Sequence, residues 1–251
     1  MPTLNVAAGH IHYEVRGRGY PVLLFAPGFL SSRIERWRTN PARPGVPQDW
    51  LDPMAELGDD FMLIALDVRN AGQSRTTVTA DDDWRSYTAD HLALLDHLDV
   101  TQCAVMGACI GVSFALALAA ARPRLVTSLV LQNPIGLSPQ NRAALDHEFE
   151  AWMSEVRDWP NIDAAQLPAF GKRMFGGDFI FSVTPQFVRS CAIPMLLMPG
   201  NDLVHPAVIS DELAKAPNVE IVAPWKGLAL RQDAMRRVRE FLLQHRPKAT
   251  A

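Results

Sequence analysis

The sequence predicts an α/β protein: a mostly parallel central sheet flanked by helices, with a small helical cap. Three observations predict it. Continuous apolar runs of strand length recur along the chain, as expected for strands covered on both faces. Helical patterns lie between them, which implies a mainly parallel sheet. One polar, helical stretch at 138–190 breaks that alternation and reads as an insertion.

The elements follow in order. Residues 10–16 alternate like an antiparallel edge strand, closed by Gly17 and Gly19. His10 and His12 fall on what this pattern makes an exposed face. Residues 21–26 form a buried apolar strand, and 27–32 turn out of it. The stretch 33–50 is rich in Trp and Pro and is longer than a usual connection, which marks it as a candidate functional loop. A second buried strand covers 61–66, followed by a loop at 67–74. Residues 81–98 read as a helix, with Leu92, Leu95 and Leu98 on one side. His91 on this helix reads as a surface or interhelical contact. Further strands are predicted at 103–106, 124–131, 193–198 and 219–223, with helices at 112–120 and 228–244. The core is then 1–137 plus 191–251, and the cap is 138–190.

Composition narrows the class. The chain has 251 residues, is 48% hydrophobic and carries a net charge of −3 without charge blocks. That suits one large domain and points away from nucleic acid and acidic membranes, leaving a small-molecule substrate as the expected partner. The sequence admits a homodimer but does not set the oligomeric state. Three cysteines, Cys103, Cys109 and Cys191, form no disulfide framework, so reduced thiols and a cytoplasmic setting are expected. No signal-peptide pattern is evident at the start. The apolar window 103–121 has the length of a membrane span, but its glycines and small residues argue for a buried strand plus a buried helix. No cofactor is implied, because neither a phosphate-cradling glycine loop nor a metal-spaced cluster is present.

The most informative segment is Gly107-Ala108-Cys109-Ile110-Gly111, a G-x-C-x-G turn between an apolar strand and a small-residue helix. A sharp strand-to-helix turn strains its central residue and pushes that side chain out, while the flanking glycines let backbone pass close by. Taken alone, Cys109 reads as a small core residue. Within this turn it reads as a thiol nucleophile at a helix N-terminus, where negative charge is favoured. Cys103 and Cys191 read as structural.

Four pieces, in order, carry a resemblance: Pro27-Gly28-Phe29, then 67–74 (Asp67-Val68-Arg69-Asn70-Ala71-Gly72-Gln73-Ser74), the G-x-C-x-G turn, and Gly200-Asn201-Asp202-Leu203-Val204-His205-Pro206. Together they resemble the α/β-hydrolase fold superfamily across nearly the whole chain. The resemblance implies that Cys109 is the nucleophile and that the backbone N–H groups of Phe29 and Ile110 form an oxyanion hole. Such donors are worth about 2.7–4 kcal/mol each. It also implies that Asp202 is the acid that orients a histidine. One departure is a proline, Pro27, where the family usually has a histidine.

The larger departure is the base. The family's histidine lies after the last strand, where this chain reads Ala223-Pro224-Trp225-Lys226-Gly227. His205, three residues after Asp202, is the alternative: it either faces Cys109 as the base or packs against Pro206. Lys226 is a second candidate cation near the site. Trp37, Trp50, Trp84 and Tyr87 either line a substrate mouth or pack in the core. Arg33, Arg36 and Arg38 either meet an anionic substrate or form a solvated face. The leading expectation is a hydrolase or acyltransferase acting on a small ester, lactone or thioester through Cys109, Asp202 and His205. The alternatives are a cofactor-free lyase or C–C bond enzyme using His205 as acid/base, and a non-catalytic ligand-binding protein.

Overall fold

The computed structural model describes residues 2–40, 45–46 and 50–247. The long 33–50 connection falls partly outside the described residues, at 41–44 and 47–49. In chain order the elements are β1 (Thr3–Val6), β2 (Gly9–Arg16), β3 (Tyr20–Phe25), α1 (Pro53–Glu56), β4 (Phe61–Leu66), β5 (Arg75–Thr76), α2 (Trp84–His97), β6 (Cys103–Ala108) and α3 (Ile110–Ala121). They continue with β7 (Val126–Gln132), α4 (Arg142–Val156), α5 (Leu167–Phe175), α6 (Pro185–Ser190), β8 (Met195–Met198), α7 (Ala207–Leu213), β9 (Val219–Ile221) and α8 (Arg231–His245).

The strands form one sheet in the order β1-β2-β4-β3-β6-β7-β8-β9, with β5 also on β2. Pairings from β4 onward along this order are parallel, whereas β2 runs antiparallel to β1, β4 and β5. Alternation along β3 explains the layering. Leu23 and Phe25 face a core shared with α2 and α3, while Val22 and Leu24 face a core shared with α1 and α8. The chain leaves β3 toward β4 and returns to β6 on the other side of β3. This order makes β3/β6 the topological switch point, where loops at the strand ends diverge and leave a crevice.

Two sequence expectations are corrected. β2 is not an edge strand, because β1 pairs with it over Thr3–Val6. β1 escaped notice because four alternating residues carry little signal. His12 is accordingly buried rather than exposed, with its N–H donated to Ser74 Oγ at 2.9 Å. The 103–121 window is divided at Cys109 into β6 and α3, and among the described residues no helix is long and apolar enough to cross a membrane.

Helices α4, α5 and α6 fill the chain between β7 and β8. Aromatic rings knit them together: Phe149 and Trp152 on α4 pack against Phe170 and Phe175 on α5. Trp84 Nε1 donates to Met174 O at 2.8 Å, tying α5 to α2. Trp37, Trp84 and Tyr87 are all buried packing residues. His91 is fully buried, its ring 4.4 Å from that of Phe25 and 5.5 Å from that of Phe114 on α3. It is therefore an interhelical contact and not a surface residue. Burial, helped by Arg69, pushes its pKa down to about 3, so the ring is neutral.

Arg69 anchors the loop after β4. Its Nε donates to Asp90 Oδ2 at 2.5 Å and its Nη2 to Asp90 Oδ1 at 3.1 Å, both groups being buried. Breaking such a pair from one side strands a buried charge. Arg69→Met is expected to cost about 3–5 kcal/mol in urea unfolding, and Arg69→Met/Asp90→Leu is expected to recover much of it.

Candidate active site

The site is built from the C-terminal ends of adjacent parallel strands. After β6, Cys109 holds φ 56° and ψ −119°, a left-handed conformation that costs a side-chain-bearing residue energy. Backbone packing enforces it. A Cβ on Gly107 would lie 2.2 Å from Gly111 O, and a Cβ on Gly111 would lie 2.2 Å from Phe25 O. Only glycine fits at either position, so α3 presses directly on β3 and β6. The Cys109 N–H is fixed by Gln132 O on β7 at 3.0 Å. Cys109 keeps 7% of its surface exposed, whereas Ala108 and Ile110 keep none. The other two thiols are buried away from this turn, and burial pushes Cys103 up to about 12.

Two neighbouring strand ends are strained in the same way. Phe29, after β3, has φ 54°, and Asn133, after β7, has φ 49°. Phe29 opens a tight helical turn (Phe29–Ser31) next to Gly28 at φ 120°. Its ring stacks on Phe175 at 4.5 Å, and Ser31 Oγ donates to Glu155 Oε2 at 2.7 Å, so α4 and α5 hold this loop. The loop after β4 holds it too: Ile34 N–H donates to Asp67 Oδ1 at 2.9 Å and Val68 N–H to Ser32 O at 3.1 Å. β3 and β6 are in register at Phe25 and Gly107, which sets the Phe29 and Ile110 amides on adjoining turns.

The loop after β8 supplies the titratable groups. Asp202 Oδ1 accepts from the backbone N–H groups of Val204 (3.1 Å) and His205 (2.9 Å), folding the loop back on itself. That fold brings His205 Nδ1 to 2.7 Å from the same oxygen. His205 Nε2 is turned inward toward the Cys109 sulfur. The pair is close enough to interact, yet no conventional hydrogen bond forms and Nε2 has no regular partner. Trp50 packs edge-on to the imidazole at 5.7 Å, leaving 12% of the side chain exposed. Burial alone would push the His205 pKa down. The electrostatic influence of the neighbouring Cys109 and the hydrogen bond to Asp202 outweigh it and raise the pKa to about 9. Burial would likewise push Asp202 up, but the bonds from His205 and the Lys226 charge hold it well below the usual carboxylate range.

The place after β9 is filled by other chemistry. Trp225 is buried there, with its Nε1 donating to Pro199 O at 2.9 Å. Lys226 Nζ reaches Asn201 Oδ1 at 3.1 Å and Asp202 Oδ2 at 3.3 Å. Asp202 is thus shared, one oxygen to His205 and one to Lys226. The structure brings Cys109, His205 and Asp202 together and sets Phe29 and Ile110 beside them. Sequence reasoning missed Asn133, whose left-handed backbone and unpartnered buried Oδ1 lie against Gly200. Unlike Cys109, Asn133 has no flanking glycine pattern to mark its positive φ in the chain. Two grooves of about 410 Å³ lie elsewhere, one beside Phe187 and Cys191 and one between α4 and α5; neither is lined by Cys109 or His205.

Comparison with known families completes the description. The family described as alpha/beta hydrolase fold matches residues 21–187. The chain belongs to the α/β-hydrolase fold family. A protein of Pseudomonas syringae pv. syringae (strain B728a) named as a carbamate hydrolase, RutD, is 37% identical over 89 residues. That match covers 36% of this chain and 34% of the relative, so the chain spans about a third of the length of the curated relative it matches. The meta-cleavage product hydrolase CumD of Pseudomonas fluorescens IP01 superposes with a TM-score of 0.70 at 17% identity, covering 98% of each chain. The enol-lactonase of Burkholderia xenovorans LB400 also gives 0.70 at 17% identity, covering 96% of this chain and 100% of the other. At that identity the likeness speaks for the fold alone.

The raised His205 pKa has a defined sign. The charged imidazole contributes stability that is fully present below its unfolded value near 6.5 and is lost as pH rises through about 9. Imidazole NMR is expected to show His205 titrating near 9 in the native protein and distinctly lower in Asp202→Asn and in Cys109→Ala. The loss of melting temperature between pH 6.5 and 9 should shrink in both variants. An unmoved His205 titration in Asp202→Asn would refute the described pairing.

Proposed function

We propose that this protein hydrolyses a small acyl compound, an ester, lactone or thioester, through Cys109. The supporting observation is a Cys-His-Asp relay assembled from two strand ends. Cys109 sits on a strained turn at a helix N-terminus, His205 Nε2 faces it, and Nδ1 is held by Asp202 at 2.7 Å. Membership of the family and a relative named as a hydrolase support the reaction type.

In this reading the resting pair is a thiolate beside an imidazolium. The sulfur attacks the carbonyl carbon, and the developing oxyanion takes hydrogen bonds from the Phe29 and Ile110 N–H groups. His205 Nε2–H then passes its proton to the leaving alcohol or thiol, and the acyl group stays on sulfur. The now neutral imidazole accepts a proton from water as that water attacks the thioester. Collapse releases the carboxylic acid and restores the thiolate–imidazolium pair. Asp202 keeps Nδ1 protonated and the ring oriented throughout, the role of the acid in such relays.

The decisive experiment pairs kinetics with intact mass. With a 4-nitrophenyl ester, the wild-type protein is expected to gain the acyl mass on Cys109 during turnover. Cys109→Ala is expected to lose the adduct and roughly 10³-fold or more in kcat/KM, and His205→Ala at least about 10²-fold. Unchanged turnover by Cys109→Ala would refute the mechanism.

A further inference from the structure

Three arginines follow the Phe29–Ser31 turn, and they differ in one respect. Arg33 is paired with Glu35 at 3.4 Å and with Glu155 at 3.8 Å. Arg38 is paired with Asp52 at 3.1 Å. Among the described residues Arg36 has neither an ion pair nor a side-chain hydrogen bond, and its Nε is shut from solvent without an acceptor.

Its position is specific. Arg36 lies across Gly28: a Cβ placed there would sit 3.2 Å from both Cγ and Nε of Arg36 and 3.4 Å from Cδ. Gly28 immediately precedes Phe29, so the Arg36 side chain lies over the turn that carries the Phe29 amide. Burial, reinforced by Arg33, pushes the Arg36 pKa down against the opposing pull of the Glu155, Glu35 and Glu148 charges. A half-buried guanidinium presents a planar fork of donors suited to a carboxylate. A protein carboxylate would serve for a purely structural role, and Glu155, Glu35 and Glu148 are all near enough to act on Arg36, though none forms an ion pair with it. Yet Glu155 is engaged by Ser31 and Arg33.

We infer that Arg36 is a substrate-binding residue that receives a carboxylate on the acyl compound, beside the carbonyl held at the Phe29 amide. This deepens the acyl-hydrolase reading and rests on it for the placement of the carbonyl. The substrate class becomes esters, lactones or thioesters whose acyl portion carries a free carboxylate.

Two matched esters test this, mono(4-nitrophenyl) glutarate and its methyl-masked counterpart. The wild-type protein is expected to favour the free acid about ten-fold or more in kcat/KM, mainly through KM. Arg36→Met should bring the ratio near one, Arg36→Lys should retain part of the preference, and Arg38→Met should retain all of it. A second readout needs no turnover: glutarate alone should slow iodoacetamide labelling of Cys109 in the wild-type protein and not in Arg36→Met. A wild-type protein indifferent to the carboxylate, a preference that survives Arg36→Met, or one lost equally in Arg38→Met overturns the inference. Protection by glutarate without any acyl adduct would keep the subsite and reject the acyl mechanism. An adduct formed equally from both esters would do the reverse.

Discussion

Everything at this site depends on how closely α3 approaches the strands beneath it. The Gly111 position lies against the Phe25 carbonyl and the Gly107 position against Gly111, with no room for a methyl group at either. That contact leaves one path for the chain between β6 and α3, through a left-handed conformation at Cys109. The strain is sustained because β3, β6 and β7 over-determine the turn: Gln132 fixes the Cys109 amide, and the sheet register fixes the rest. A thiol in this position sits at the positive end of a twelve-residue helix, with His205 brought near it from the loop after β8.

The acid loop solves a second problem. A family member without a histidine after the last strand lacks the usual imidazole, and here that place holds Trp225 and Lys226. Asp202 compensates through its own loop, because the turn that satisfies Oδ1 with two backbone N–H groups also swings His205 Nδ1 onto the same oxygen. Lys226 takes the other oxygen. The ring is therefore positioned by a residue three places earlier, a short and rigid connection. Trp50 closes its outer face.

The cap enters through contacts rather than chemistry. Phe175 lies on the Phe29 ring and Glu155 accepts from Ser31, so the turn carrying Phe29 is held by α4 and α5. Arg33 pairs with Glu155 across the same seam, beside Arg36.

The fold was legible in the sequence because its signals are local. Apolar runs set β3, β4, β6, β7 and β8 to within a few residues, and the G-x-C-x-G spacing placed the turn between β6 and α3. The short β1 and α7 were missed, since four and seven residues carry little periodicity. Cys109, Phe29, Ile110, Asp202 and His205 could each be named as candidates, because turn chemistry and family spacing are written along the chain. Whether His205 faced the sulfur or packed against Pro206 was not written there, nor was the lack of a partner for Arg36. Both depend on side chains brought together from distant segments: Asp202 and Lys226 from different strand ends, Arg36 against Gly28 and the cap. Local sequence determines which turns can form and which side chains they offer. Only the packing of helix on sheet, and the competition of charges for partners across it, decides which of those side chains meet.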